Sequence, residues 1–281
     1  MLFPKITLNC KGTLLSLENP IVMGILNLTP DSFYDGGQLK GDASILRQAE
    51  KMLTAGAKIL DIGGMSSRPG AKIIDSAQEL KRTIDPISLI LKNFPETIIS
   101  IDTVRSIVAK EAVEAGAKMV NDISAGKIDA DFYQTVANLS VPYVLMHMKG
   151  TPETMQSQTN YEDISLEVLD FFIKEVGKLR ELGIKDIILD PGFGFGKSID
   201  HNYQLLNKIH AFKMLDLPIL AGLSRKSMIY KYLDTTPEFA LNGTSVLNMV
   251  ALQQGAKILR VHDVKEAVET IKLFLQVAWN K

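Results

Sequence analysis

The sequence predicts one parallel α/β domain closed into a (β/α)8 TIM barrel with an N-terminal β-hairpin. Three observations carry that prediction. A unit of amphipathic stretch, glycine, lysine and short apolar run recurs four times: Gly56-Ala57-Lys58-Ile59-Leu60, Gly116-Ala117-Lys118-Met119-Val120, Gly183-Ile184-Lys185 leading into Ile187-Ile188-Leu189, and Gly255-Ala256-Lys257-Ile258-Leu259. Four further apolar runs of strand length fall at 21–26, 97–101, 143–146 and 217–220, which together make about eight strands separated by helices. No low-complexity linker or charge block divides the 281 residues, and that length suits a single barrel. An open doubly wound sheet is the structural competitor.

In chain order, residues 5–17 alternate around Lys11-Gly12 and read as a β-hairpin. We therefore divide the chain into a hairpin at 1–18 that packs on the barrel floor and a barrel at 19–281. Each repeated glycine fits the left-handed position that ends a helix, and the apolar run after it fits a strand buried on both faces. The stretch before Gly183 places Val168, Phe172, Val176 and Leu179 on one helical face.

Composition removes several function classes. The chain is 46% hydrophobic and 22% charged, enough to bury a large core without disulfides. A net charge of −1 excludes nucleic-acid binding driven by bulk charge. A single cysteine, Cys10, excludes an internal disulfide and a multi-cysteine zinc site. No run approaches the ~18 apolar residues of a membrane helix, and the N-terminus lacks an apolar signal region. The expectation is a cytoplasmic protein without membrane or nucleic-acid partners.

Polar residues gather just past the apolar runs: Asn27, Asp61, Asp102, Asn121 with Asp122, His147, Asp190, Ser224-Arg225-Lys226, and Arg260 with His262. Any one of these is more often an ordinary turn residue. As a set at the C-terminal ends of parallel strands they would converge on the functional face. Two loops stand out beside them, Thr29-Pro30-Asp31-Ser32-Phe33-Tyr34-Asp35-Gly36-Gly37 and Gly63-Gly64-Met65-Ser66-Ser67-Arg68-Pro69-Gly70. The segment Asp190-Pro191-Gly192-Phe193-Gly194-Phe195-Gly196-Lys197-Ser198 fits neither a P-loop nor a dinucleotide fingerprint. It reads as a rigid glycine-rich loop that lets a flat ligand approach Asp190. The four histidines lack paired zinc spacing. His201 and His210 read as surface or capping residues, and His147 reads equally well as a satisfied core residue.

The motifs resemble those of the dihydropteroate synthase family of pterin-binding enzymes. The resemblance rests on Met23-Gly24-Ile25-Leu26-Asn27-Leu28-Thr29-Pro30-Asp31-Ser32-Phe33, on Asp61 to Gly70, and on Ser100-Ile101-Asp102-Thr103, Asn121-Asp122, Asp190 to Lys197, Gly222 to Ser227 and Arg260-Val261-His262-Asp263. These stand in family order from about residue 21 to 264. Two departures are visible: Met65 and Ser67 stand where the family more usually reads Glu and Thr in Glu-Ser-Thr, which bears on the arylamine site and on sulfonamide binding.

The resemblance implies condensation of 6-hydroxymethyl-7,8-dihydropterin diphosphate with 4-aminobenzoate, giving 7,8-dihydropteroate and pyrophosphate by an SN1-like path. It implies catalytic roles for Asp102, Lys226 and Arg260. A pterin pocket is implied of Asp102, Asn121, Met146, Asp190, Phe195, Gly222, Lys226 and Arg260. The diphosphate falls to Asn27, Arg68, Arg260 and His262, with Mg2+ held by Asn27, and 4-aminobenzoate to Phe33, Ser67, Pro69, Lys226 and Ser227. The chemistry of these side chains suits those partners. Carboxylates match the pterin's guanidine-like donor edge, Asn121 its mixed edge, and the planar Arg260 can stack on the ring. A homodimer is the expected assembly. The competing functions are a methyltetrahydrofolate-binding corrinoid methyltransferase barrel, a non-catalytic binding barrel, and a Schiff-base aldolase built on Lys226.

Overall fold

The computed structural model describes residues 7–28, 38–65, 74–151 and 154–279. The chain opens with β1 (Thr7–Cys10) and β2 (Thr13–Ser16), paired antiparallel. Lys11 and Gly12 between them both have positive φ, at 51° and 87°, as the tight connection of a two-residue hairpin requires. Strand and helix then alternate: β3 (Ile21–Asn27), α1 (Gln38–Thr54), β4 (Ile59–Gly63), α2 (Ser76–Asn93), β5 (Ile98–Asp102), α3 (Ser106–Glu114) and β6 (Met119–Asp122). The second half continues with α4 (Phe132–Leu139), β7 (Tyr143–Met146), α5 (Ile164–Glu181), β8 (Ile187–Asp190), α6 (Ile199–Lys208), β9 (Leu220–Ala221), α7 (Ser227–Tyr230), α8 (Leu241–Gln254), β10 (Ile258–Val261) and α9 (Val264–Trp279).

β3 to β10 form one parallel eight-stranded sheet in the order β8-β7-β6-β5-β4-β3-β10-β9. A parallel bridge between Leu189 and Ile219 joins its two ends, supported by Leu189 N donating to Pro218 O at 2.9 Å. The result is the eight-stranded α/β barrel expected from the sequence. The open sheet is excluded by that closure. β9 is shorter than the run at 217–220 suggested, because Pro218 has no N–H and can only accept at the seam.

The repeated glycines behave as anticipated. Gly56, Gly116, Gly183 and Gly255 have φ of 106°, 113°, 85° and 106° at the helix ends, a region that β-carbon sterics deny to most residues. On α5, Val168, Phe172, Val176 and Leu179 are all buried, and the Asp163 carboxylate caps the helix by accepting from Ser165 N and Leu166 N.

The alternation along each strand sorts side chains into two cores. Outward residues pack under the helices in one large cluster. Inward residues Ile21, Met23, Ile59, Ile98, Met119, Val144, Ile188, Leu220 and Ile258 meet Leu8, Cys10, Leu15 and Leu17 of the hairpin. The hairpin thus supplies apolar side chains to the lower barrel interior. Burial pushes the Cys10 thiol up to about 12, so it stays protonated and inert.

Candidate active site

The same alternation decides which strand-end residues face the barrel interior. Counting upward by two from the apolar inward layer leads to Asn27, Asp61, Gly63, Asp102, Asn121, Met146, Asp190, Gly222, Arg260 and His262. Asp122 and His147 have the other parity. Asp122 is fully buried and accepts from Ser124 N, Ser124 Oγ, Gly126 N and Tyr143 OH at 2.6–2.8 Å. It holds the turn after β6 and does not enter the mouth.

Arg260 sits at the centre of the mouth. Its Nε donates to Asp61 Oδ2 at 2.6 Å and its Nη2 to Asp102 Oδ2 at 2.7 Å. Asn121 Nδ2 donates to the same Asp61 oxygen at 3.0 Å. Burial works against the Arg260 charge, but Asp61 and Asp102 outweigh it and hold the guanidinium more firmly ionised than usual. Burial likewise pushes the Asp102 carboxyl up to about 7; Arg260 opposes this, while Asp61, Glu79 and Asp122 add to it. Glu79, itself fully buried on α2, is fixed by Thr103 Oγ1 at 2.6 Å and by Arg105.

Asp190 and Lys226 form the opposite wall. Burial raises the Asp190 carboxyl, offset by Lys226, by the bond from Gly192 N at 2.8 Å and by Arg260. Burial lowers Lys226 to about 8, with Asp190 opposing and Arg260 adding. Its Nζ donates to Phe193 O and lies 4.5 Å from the centroid of the Phe195 ring, a cation–π contact. A β-carbon at Gly222 would come within 3.9 Å of Asp190 Oδ2, and one at Gly63 within 3.7 Å of both Asn27 Oδ1 and Asp102 Oδ2. These glycines keep the floor of the mouth open between charged groups.

Asp102, Asp190, Lys226 and Arg260, far apart in sequence, therefore surround one space. Met146 lies beside it in an apolar cluster with Met65, Val104, Ile123, Met148 and Met155, against which Phe195 packs. Met65, where the motif departs from the family's usual glutamate, is nine-tenths buried in that cluster. His262 bonds through Nδ1 to Ser224 Oγ at 3.0 Å, and Ser227 begins α7 directly after Lys226. Phe33, Ser67, Arg68 and Pro69 lie outside the described residues.

Three sequence readings change. Arg225 turns away at φ 54° and makes a bidentate pair with Asp263 at 2.8 and 2.9 Å, so it does not flank Lys226 in the mouth. The glycines of the 190–198 loop serve the neighbouring loop first: a β-carbon at Gly192 would sit 2.0 Å from His147 O, and one at Gly196 2.6 Å from Lys149 O. Lys197, which the sequence reading leaves without a role, is buried and donates to Gly192 O and Phe195 O at 2.9 and 3.0 Å, with its Nζ 2.9 Å from His147 Nδ1. Burial, then the Lys197 charge, holds His147 well below its usual pKa. It is a neutral core histidine that accepts from the lysine.

Asp61 stands among the strand-end residues without a role in the sequence reading, and its inward parity is the signal that points to one. Among the described residues no three His, Cys, Asp or Glu side chains form a metal-binding group. The Asn27 amide oxygen, near Asp102, offers one hard donor. That is too few for a metal cage and suits an ion held mainly by substrate oxygens.

Comparison with known proteins gives a consistent result. A family described as "Pterin binding enzyme" matches residues 23–262. The dihydropteroate synthase of Escherichia coli K12 is 43% identical over 265 residues, 94% of this chain and 93% of the relative. Among solved structures, the Yersinia pestis dihydropteroate synthase with a sulfonamide drug complex superimposes with a TM-score of 0.91 at 39% identity, covering 97% of this chain and 99% of that one. The Xanthomonas albilineans enzyme in complex with 7,8-dihydropteroate gives 0.87 at 36% identity, covering 97% and 98%.

Proposed function

The chain belongs to the pterin-binding enzyme family and has the dihydropteroate synthase activity for which its relatives are named; from that premise we propose how its barrel mouth carries out the transfer. The observation that carries the proposal is the convergence of Asp102 and Asp190 with Lys226 and Arg260 around one space. The pterin ring lies between them. Asp190 and Asp102 accept from its donor edges, Asn121 and Lys226 bind the ring heteroatoms, Arg260 stacks on one face, and Met146, Phe195 and Gly222 complete the wall.

The diphosphate lies toward Arg260, His262, Asn27 and Arg68. Mg2+ bound there, with Asn27 as its protein oxygen, would neutralise charge on the departing pyrophosphate. The leaving group departs from a methylene on an electron-rich ring, so carbon–oxygen cleavage runs ahead of amine attack. Asp102 offsets positive charge developing on the pterin, and Arg260 stabilises the anion that leaves. The 4-aminobenzoate nitrogen then attacks the methylene from a site lined by Phe33, Ser67, Pro69, Lys226 and Ser227, and the proton it loses passes to the released pyrophosphate or to water. The amine needs placement and no covalent nucleophile. A sulfonamide would take the same place.

The assembly is a homodimer and the compartment the cytoplasm. Tyr232, Leu233, Phe239, Val246, Leu273 and Val277, exposed on the mutually packed elements from α7 to α9, support self-association. No described helix is long and apolar enough to cross a membrane.

Mixing the protein with 6-hydroxymethyl-7,8-dihydropterin diphosphate, 4-aminobenzoate and Mg2+ tests the proposal. Stoichiometric pyrophosphate and dihydropteroate are expected. A corrinoid-methyltransferase barrel would release no pyrophosphate, and that result would overturn the reading.

A further inference from the structure

Asp61 stands where no neighbouring strand explains its contacts. β4 lies between β3 and β5 in the sheet, yet Asp61 reaches across the barrel interior to Asn121 on β6 and to Arg260 on β10. Both partners bond the same oxygen, Oδ2, at 3.0 and 2.6 Å. The other oxygen, Oδ1, has no hydrogen-bond partner among the described residues, and neither does Ser100 Oγ, which is in register beside it on β5. Asp61 is completely buried, so its whole engagement with the site passes through one atom.

We infer that Asp61 is a positioning residue of the transfer reaction, fixing which end of the Asn121 amide and which edge of the Arg260 guanidinium face the pterin. The inference deepens the proposed function and rests on the mouth being a pterin site. An asparagine amide has a donating end and an accepting end that differ little in shape. A carboxylate facing a guanidinium accepts only, so it selects the Nδ2 end of Asn121. Rotating that amide would set Oδ1 against Oδ2, two acceptors with no proton between them. The Asn121 Oδ1 atom is thereby turned away from Asp61 as a fixed acceptor, suited to a donor group on the ring edge. Arg260, gripped at Nε by Asp61 and at Nη2 by Asp102, is held in one plane while its cation remains available to a stacked ring or an anion.

The readout is discrimination between two flat ligands that differ only in hydrogen-bond polarity: pterin, with an amino group at C2, and lumazine, with an oxo group there. Calorimetry on the full-length wild-type protein should show pterin preferred by roughly tenfold or more, the usual consequence of presenting an acceptor where a donor is required. In Asp61→Ala the Asn121 amide can turn to suit either ligand, and the preference should fall by about tenfold. Asp61→Ser, which cannot reach both partners, gives the same test should the alanine variant not fold. Asp61→Asn, which returns an acceptor oxygen to the same place, should restore most of the preference. Asp190 still accepts from the donor edge in these variants and keeps a residual preference. A preference undiminished from wild type in the alanine or serine variant, with lower thermal stability or equal weakening of both ligands, would therefore overturn the inference alone. A wild-type protein that binds neither ligand would overturn the pterin reading and this inference with it.

Discussion

The two ends of the barrel interior are built on the same strands and have opposite chemistry. At the floor, Ile59, Ile98, Met119, Ile188 and Ile258 close on the hairpin's Leu8, Cys10, Leu15 and Leu17. One or two inward positions further along, the same strands present Asp61, Asp102, Asn121, Asp190 and Arg260. The floor gains from burial, at roughly 25 cal/mol per Å2 of apolar surface removed from water. The mouth spends stability on taking carboxylates out of water and recovers it through their contacts with Arg260, Lys226, the Asn121 amide and the Gly192 N–H. Stability and function are therefore separated along the barrel axis by only one or two steps of the strand alternation. Perturbing one end should leave the signature of the other intact.

The largest effect expected from breaking that separation is at the mouth. Asp102→Asn keeps the side-chain shape but removes the charge that pairs with Arg260 and offsets the developing cation. Turnover should fall by ~10²–10³, the usual loss when one electrostatic stabiliser is removed, while the melting temperature stays close to wild type. Steady-state kinetics beside thermal unfolding checks this. Near-normal turnover would strip Asp102 of its role.

The floor should give the reverse result. Ile188 is completely buried and precedes Asp190 by two residues on β8. Ile188→Ala leaves a cavity in the layer shared with the hairpin and should cost ~2–5 kcal/mol of stability. The KM values of the folded fraction should not move. Denaturant unfolding measures the first quantity and kinetics at low temperature the second. A changed pterin KM with unchanged stability would show that floor and mouth are mechanically coupled.

Parity also explains how much could be read without coordinates. Strand number, helix-ending glycines and the inward set from Asn27 to Arg260 follow from period-two and helix-end rules, which are local. The resemblance named the mouth's residues and its chemistry. What escaped was one local distinction, the parity of Asp122, and several non-local contacts. Asp122 looks as polar as Asn121 beside it, and only its parity shows that it faces outward to Tyr143. Lys197 leaves no periodic trace, because it sits in a loop and answers to carbonyls brought to it by tertiary folding. Arg225 adjoins Lys226 in sequence, yet a left-handed backbone sends it to Asp263. Asp61 follows the inward alternation, but its sharing of one oxygen between two distant strands belongs to the closed barrel alone.

The smallest expected effect is also the sharpest test of how much burial shapes the mouth. Desolvation acts in opposite senses on the mouth's acids and its lysine, raising Asp102 to about 7 and Asp190 above its usual range, and lowering Lys226 to about 8. The reaction needs Asp102 ionised, so kcat/KM should rise with pH through about 7. It needs Lys226 protonated, so the rate should fall again above about 8, leaving a narrow bell. One pH unit beyond either limb the rate should be down roughly tenfold. Folding stability follows a different sign. Because the folded carboxyl titrates above its ordinary value of 3.8, its contribution is fully present below that value and is lost as pH rises through about 7. Activity should therefore grow across the interval in which this one group gives up its stabilising effect. At the floor, Cys10 remains protonated throughout and contributes to neither trend. A flat kcat/KM between pH 6 and 9 would mean that the mouth is wetter than its buried side chains imply, and that electrostatics there is no stronger than at an exposed surface.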